Sequence, residues 1–134
     1  MRPKILTVDD AKAVRLLAEK VLSPFDCEVS EASNGYNALF LMEKALPDLI
    51  LIDVNMPVMG GVHMLELMRS NPVLQKIPVI MLTSPTDHPV MAEVKALGVN
   101  GTLMKPFKDT ALLEIIRSVI TLKPKSAHPQ KSVN

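Results

Sequence analysis

Six side chains in this sequence have the types and spacing to do chemistry together. Asp9 and Asp10 follow the aliphatic run KILTV, and Asp53 closes the run LILI. Thr83 and Ser84 follow PVIML, and Lys105 follows GTLM. If these runs are neighbouring strands, three carboxylates meet at one rim with a hydroxyl and an ammonium beside them. At ~5 Å and an effective dielectric of ~20, each carboxylate pair repels by roughly 3 kcal/mol. Lys105 supplies one compensating charge. A hard divalent cation such as Mg²⁺ would supply two more, and carboxylates, carbonyls and water are the ligands it prefers. A carboxylate placed beside such an ion and a lysine can attack phosphorus, because the two cations neutralise phosphoryl oxygens. A threonine hydroxyl at the same rim can donate to the phosphoryl group. Asp53 therefore reads as an acceptor of phosphoryl groups.

That chemistry requires particular elements. Short aliphatic runs at 4–8, 27–31, 49–53, 78–82 and 101–104 alternate with amphipathic stretches. LILI and VIML are apolar at successive positions, as in strands covered on both faces, whereas CEVSE alternates and belongs at a sheet edge. The stretch 11–22 places Val14, Leu17, Ala18, Val21 and Leu22 at helical spacing. Asn34 can cap a second helix that Pro47 stops. A third helix follows Gly61 and ends before Pro72. A fourth starts near Pro89 and ends at Gly98. Asp109 can cap a fifth, with Pro124 beyond its end. The pattern is βα repeated five times, which implies an α/β fold with a parallel sheet and right-handed crossovers. The flavodoxin-like version has strand order 2-1-3-4-5 and a crevice at the carboxyl ends of strands 1 and 3. Asp9, Asp10 and Asp53 stand at that crevice.

The bulk numbers agree with one such domain. The chain has 134 residues and is 48% hydrophobic, with nine methionines and no tryptophan to fill its core. A net charge of +1 argues against an electrostatically driven nucleic-acid binder. Cys27 is the sole cysteine, so no internal disulfide forms. The N-terminus meets charge too early for a secretory signal, and no apolar run nears the ~20 residues of a membrane helix. The expected setting is the cytoplasm, with no membrane partner. Residues 1–122 are expected to form the domain, and the apolar-poor tail 123–134 a disordered extension or linker remnant.

The motifs VDD (8–10), DVNMPVMGG (53–61), LTS (82–84) and KPF (105–107), each after a predicted strand, resemble the receiver domain of two-component response regulators. The likeness spans about residues 3–122 and is nearest to the single-domain chemotaxis type. It implies that Asp53 is phosphorylated by a sensor histidine kinase or a histidine phosphotransfer protein. It implies Mg²⁺ or Mn²⁺ held by the Asp10 and Asp53 side chains and the Asn55 backbone carbonyl, with Asp9 acting largely through water. Thr83 would move toward the phosphoryl group, and Lys105 would contact its oxygens. Lys105–Pro106 is a candidate cis peptide. Met56, Pro57 and Gly61 match the loop that shapes the site, Gly61 allowing tight entry into the third helix. The chain would be no enzyme beyond its own phosphorylation and dephosphorylation. It would signal to a downstream protein or pass the phosphoryl group onward, with phosphorylation-linked pairing left open.

Three positions depart from the family pattern. Thr102 stands where an aromatic residue usually couples phosphorylation to the output face. Ser84 stands where alanine or glycine is common. Pro85 and Pro89 stiffen the loop SPTDHP. An aromatic switch is thus missing at Thr102, and signalling would depend on backbone shifts after Thr83. The competing reading is an interaction domain whose partner binds regardless of phosphorylation. A flavin protein would need a phosphate-cradling loop after strand 1, where the acidic pair would repel phosphate. An aspartate-nucleophile phosphatase would need an acid where Asn55 stands. Taken singly, Asp9 and Asp10 read as helix caps, Thr83 as a strand-end residue and Lys105 as a solvated lysine. His63, His88 and His128 lack metal-ligand spacing and read as surface residues. Cys27 reads as a small packed side chain, and the methionines mostly as core filler.

Overall fold

The computed structural model describes residues 2–126. Five strands, β1 (Lys4–Val8), β2 (Glu28–Ala32), β3 (Leu49–Asp53), β4 (Val79–Thr83) and β5 (Gly101–Met104), form one parallel sheet in the order β2-β1-β3-β4-β5. The helices are α1 (Lys12–Leu22), α2 (Gly35–Met42), α3 (Gly61–Arg69), α4 (Met91–Leu97) and α5 (Asp109–Arg117). The expected fold class and strand order are both present, and β2 is an edge strand.

The period-two geometry of β3 and β4 divides their side chains between two cores. Ile50, Ile52, Val79 and Met81 join the layer beneath α2, α3 and α4. Leu49, Leu51, Ile80 and Leu82 join the layer that includes Ala18, Leu22, Leu112 and Ile116 of α1 and α5. Every residue of β3 and β4 is buried, so these strands are supported from both faces. Four methionines, Met42, Met64, Met68 and Met81, fill the first layer where an aromatic core would put rings.

Several boundaries differ from expectation. β2 and β4 begin one residue late, at Glu28 and Val79. Cys27 instead precedes the strand as a buried thiol facing the Leu22 carbonyl. Asn34 does cap α2, its side chain accepting from Asn37 N at 2.8 Å. That helix ends at Met42, and turns over residues 43–45 precede the restricted Leu46–Pro47 step. The fourth helix does not begin near Pro89. A 3₁₀ segment, Pro85–Val90, comes first and α4 starts at Met91. Pro85 and Pro89 bring no N–H, which favours a tighter turn there over a continuous α-helix. Asp109 is not a cap: the N-cap position is Lys108, and Asp109 is the first helical residue, 3.5 Å from Lys20. Residues 123–125 lie against the domain. Asp26 N donates to Lys123 O at 2.8 Å and Lys125 N to Pro24 O at 2.9 Å, pinning the start of the tail beside Phe25. The remainder of the tail, with His128, lies outside the described residues.

Candidate functional site

The carboxyl ends of β1, β3, β4 and β5 form one rim, and ladder register decides which side chains share it. Asp53 pairs with Leu82 across β3–β4, so Thr83 lies one step beyond it. Thr83 pairs with Met104 across β4–β5, so Lys105 follows one step further along the rim. The Lys105 N–H donates to the Thr83 carbonyl at 2.7 Å, extending the ladder to the lysine itself. Asp9 N donates to Ala32 O at 3.0 Å, which does the same for β1 against β2.

These anchors bring the acids together. One carboxylate oxygen from each of Asp9, Asp10 and Asp53 lies within 4.8 Å of the others. Asp9 is fully buried, Asp53 is 4% exposed and Asp10 faces solvent. Asp9 Oδ1 accepts from Ala11 N at 2.8 Å, a local turn at the entrance to α1. Its other oxygen sits 2.7 Å from Lys105 Nζ, which also lies 3.1 Å from Asp53 Oδ1. One ammonium therefore serves two buried carboxylates. The remaining charge of the four groups is −2, one divalent cation short of neutrality.

The electrostatics carry the same imbalance. Burial, with the Asp9 charge adding to it, pushes the Asp53 carboxyl up to about 6 despite Lys105. Burial opposes the charge of Lys105, but Asp9 and Asp53 outweigh it and hold the ammonium above its ordinary range. A hard oxygen donor set, an excess of two negative charges and an exposed face at Asp10 all suit a cation of the Mg²⁺ or Mn²⁺ type.

The loop from Val54 to Gly60 closes one side of the rim. A Cβ on Gly61 would stand 2.1 Å from the Asp53 carbonyl oxygen, so only glycine lets α3 start this close to the acid. Pro57 and Val58 are exposed and Met56 is half-buried, while Val58 holds φ at 70°, rare for a β-branched residue. Asn55 is solvent-exposed, and its side-chain amide donates to Asp87. Lys105–Pro106 is a cis peptide. Thr83 is 4% exposed at the end of β4. Ser84 caps the 3₁₀ segment that follows. Thr102 is exposed on β5, opposite Met81, and lines an open groove of about 780 Å³ with Met91, Lys95 and Met104. His63 and His88 are exposed.

Two contributors escaped the sequence reading. Asp87 is 4% exposed; it accepts from Asn55 Nδ2 and, at 2.7 Å, from Ser84 N. The spacing Ser84-x-x-Asp87 is a capping-box pattern and was a readable signal. Arg15 donates to the Asp9 carbonyl at 2.8 Å and pairs with Glu31 at 2.5 Å, bracing β1 against β2. No local pattern announces that contact.

The family model for the response regulator receiver domain matches residues 5–117. Protein PilG of Pseudomonas aeruginosa is 32% identical over 115 residues, covering 86% of this chain and 85% of its own. The structure of chemotaxis response regulator CheY4 of Vibrio cholerae superposes with a TM-score of 0.82 at 36% identity, covering 90% of this chain and all of that one. The Mn²⁺-bound form of response regulator Rcp1 superposes with a TM-score of 0.77 at 29% identity, covering 92% and 99%.

Proposed function

The chain belongs to the response regulator receiver domain family, and from that premise we propose that it is a phosphorylation-controlled switch in which Asp53 is the phosphoacceptor. Receiver domains are signalling domains and not conventional enzymes. The observation that carries the assignment is the cluster itself: Asp53 closes a fully buried strand with Lys105 3.1 Å away and Asp9 and Asp10 alongside.

In the proposed reaction an Asp53 carboxylate oxygen attacks the phosphorus of a phosphohistidine on a sensor histidine kinase or histidine phosphotransfer protein. The P–O bond forms as the P–N bond breaks, and the imidazole leaves with the bonding electron pair. A divalent cation held by Asp9, Asp10, Asp53 and the Asn55 carbonyl would neutralise phosphoryl oxygens. That the related Rcp1 has a Mn²⁺-bound form supports a divalent cation as the partner of this chain. Lys105 adds a fixed point charge to the same oxygens, and its ion pairs with two carboxylates hold it in position beforehand. Thr83 offers a hydroxyl from the adjacent strand end. The burial that raises the Asp53 pKa also makes its anion a poorly solvated, more reactive nucleophile once a cation has removed the repulsion.

The test is incubation of the chain with Mg²⁺ and acetyl phosphate, read by intact mass, with beryllofluoride as the stable mimic. Wild type should gain one acid-stable, base-labile adduct and Asp53→Asn none. An equal adduct on Asp53→Asn would sink the assignment. A downstream protein would then read the phosphorylated state. The exposed Thr102 favours one other reading, in which a partner binds both states alike. A tenfold affinity difference on adding beryllofluoride, about 1.4 kcal/mol, removes that reading.

A further inference from the structure

Asp87 is a buried carboxylate that the acid cluster leaves out. No ion pair reaches it among the described residues. It is held by neutral donors, the Asn55 amide on Oδ1 and the Ser84 N–H on Oδ2. A buried anion without a cation depends on such bonds, and losing one leaves the charge exposed to a large desolvation penalty.

These bonds close a ring around the rim. Asp53 leads covalently through Val54 to Asn55. Asn55 bonds to Asp87, Asp87 to Ser84, and Ser84 is joined to Thr83. Thr83 follows Leu82, which pairs with Asp53 and accepts from Val54 N at 3.1 Å. The strand side of the ring is rigid ladder; the other side is one carboxylate. Asp87 is also the third residue of the 3₁₀ segment Pro85–Val90, which runs directly into α4 at Met91. Any displacement of Thr83 thus reaches both Asn55 and the start of α4 through Asp87.

We propose that Asp87 is a positioning residue: its side chain clamps the Asn55 amide to the Ser84 peptide and transmits the state of Asp53 to α4. This rests on Asp53 being the phosphoacceptor. The clamp holds closed the gap between the loops after β3 and β4, which limits water at a phosphorylated Asp53. It also gives the signal a backbone route that needs no aromatic side chain at Thr102.

The experiment compares the full chain with Asp87→Ala, Asp87→Asn, Asn55→Ala and the Asn55→Ala/Asp87→Ala pair, all with Mg²⁺. Acetyl phosphate loads Asp53 and the decay of the acyl phosphate is timed. Beryllofluoride is added separately and the amide NMR shifts of Val90, Met91 and Ala92 are followed. Loss of one hydrogen bond of ordinary net strength corresponds to roughly a threefold to tenfold change in rate. Asp87→Ala should shorten the half-life by about that factor and more than halve the amide response. Asp87→Asn keeps an acceptor for Asn55 but loses the one for Ser84, so it should fall between; it also carries the test if Asp87→Ala does not fold. The double variant should match Asp87→Ala, because both substitutions break one clamp. An adduct on wild type with unaltered decay and amide response in the Asp87 variants overturns the clamp alone, even if their melting temperatures fall. Additive effects in the double variant overturn it too. Absence of any adduct on wild type overturns the phosphoacceptor reading and the clamp with it.

Discussion

The acid rim and the segment after Thr83 are neighbours built on opposite terms. Asp9 and Asp53 hang from strands buried on both faces, tied by ladder bonds and by one lysine shared between them. Pro85–Val90 is a 3₁₀ turn with two prolines, mostly exposed, whose one buried side chain is Asp87. Rearranging the first would break sheet and core together. Rearranging the second would break a few hydrogen bonds, so its alternative states lie closer in free energy. A charge-crowded site needs the rigid kind of support, and a readout element needs the softer kind.

The largest effect should come from Gly61→Ala. Its Cβ would meet the Asp53 carbonyl oxygen at 2.1 Å, and the backbone shift should cost about 3 kcal/mol or more. Pro85→Ala, in the softer neighbour, should stay within about 1 kcal/mol. Urea midpoints of the two variants measure the contrast; similar losses would erase it. Next in size, Mg²⁺ at a hundredfold excess over its dissociation constant should stabilise the fold by about 2.7 kcal/mol. Thermal melts in Mg²⁺ and in EDTA report this.

Asp53→Asn should stabilise the metal-free protein by about 2 kcal/mol, because it removes a charge that the folded site disfavours. The sign with pH follows from the raised folded value. Asp53 titrates near 3.8 unfolded and about 6 folded, so between those values the native state holds a proton that the unfolded chain has released. Metal-free stability should therefore fall as pH rises through 4 to 6 and level off above. The Asn variant should lose that slope, and denaturation at pH 4.5, 5.5 and 7 reads it directly. Below pH 6 the same proton should compete with Mg²⁺ and weaken its binding. The smallest change is Val58→Asn. Val58 is 83% exposed with φ at 70°, and asparagine tolerates that region, so a gain of about 1 kcal/mol should appear as a higher urea midpoint.

Much of the site was legible because it is built from strand ends. An aliphatic run that stops at an acid, a threonine or a lysine marks both the strand and the rim residue in one pattern. Asp9, Asp10, Asp53, Thr83 and Lys105 are marked this way, and the fold brings them to one rim. The 3₁₀ onset of α4 was missed because Pro89 was read as a helix start, when two prolines four residues apart favour a tighter turn first. Asp87 was missed because a capping box predicts contacts along its own segment and says nothing of Asn55, 32 positions away. Arg15 was missed for the same kind of reason, since its partners Asp9 and Glu31 meet it only across the β1–β2 edge.

By itself the sequence determined the periodicities, hence the alternating strands and helices, and the residue types that close each strand. Those are local properties, set by spacing and backbone preference. Only the tertiary structure decided how the charges share the rim. One lysine bridges two buried carboxylates, a glycine lets α3 approach the acid, and Asp87 joins two loops. Distance and burial set the strength of a charge's interactions, and neither exists until the strands are side by side.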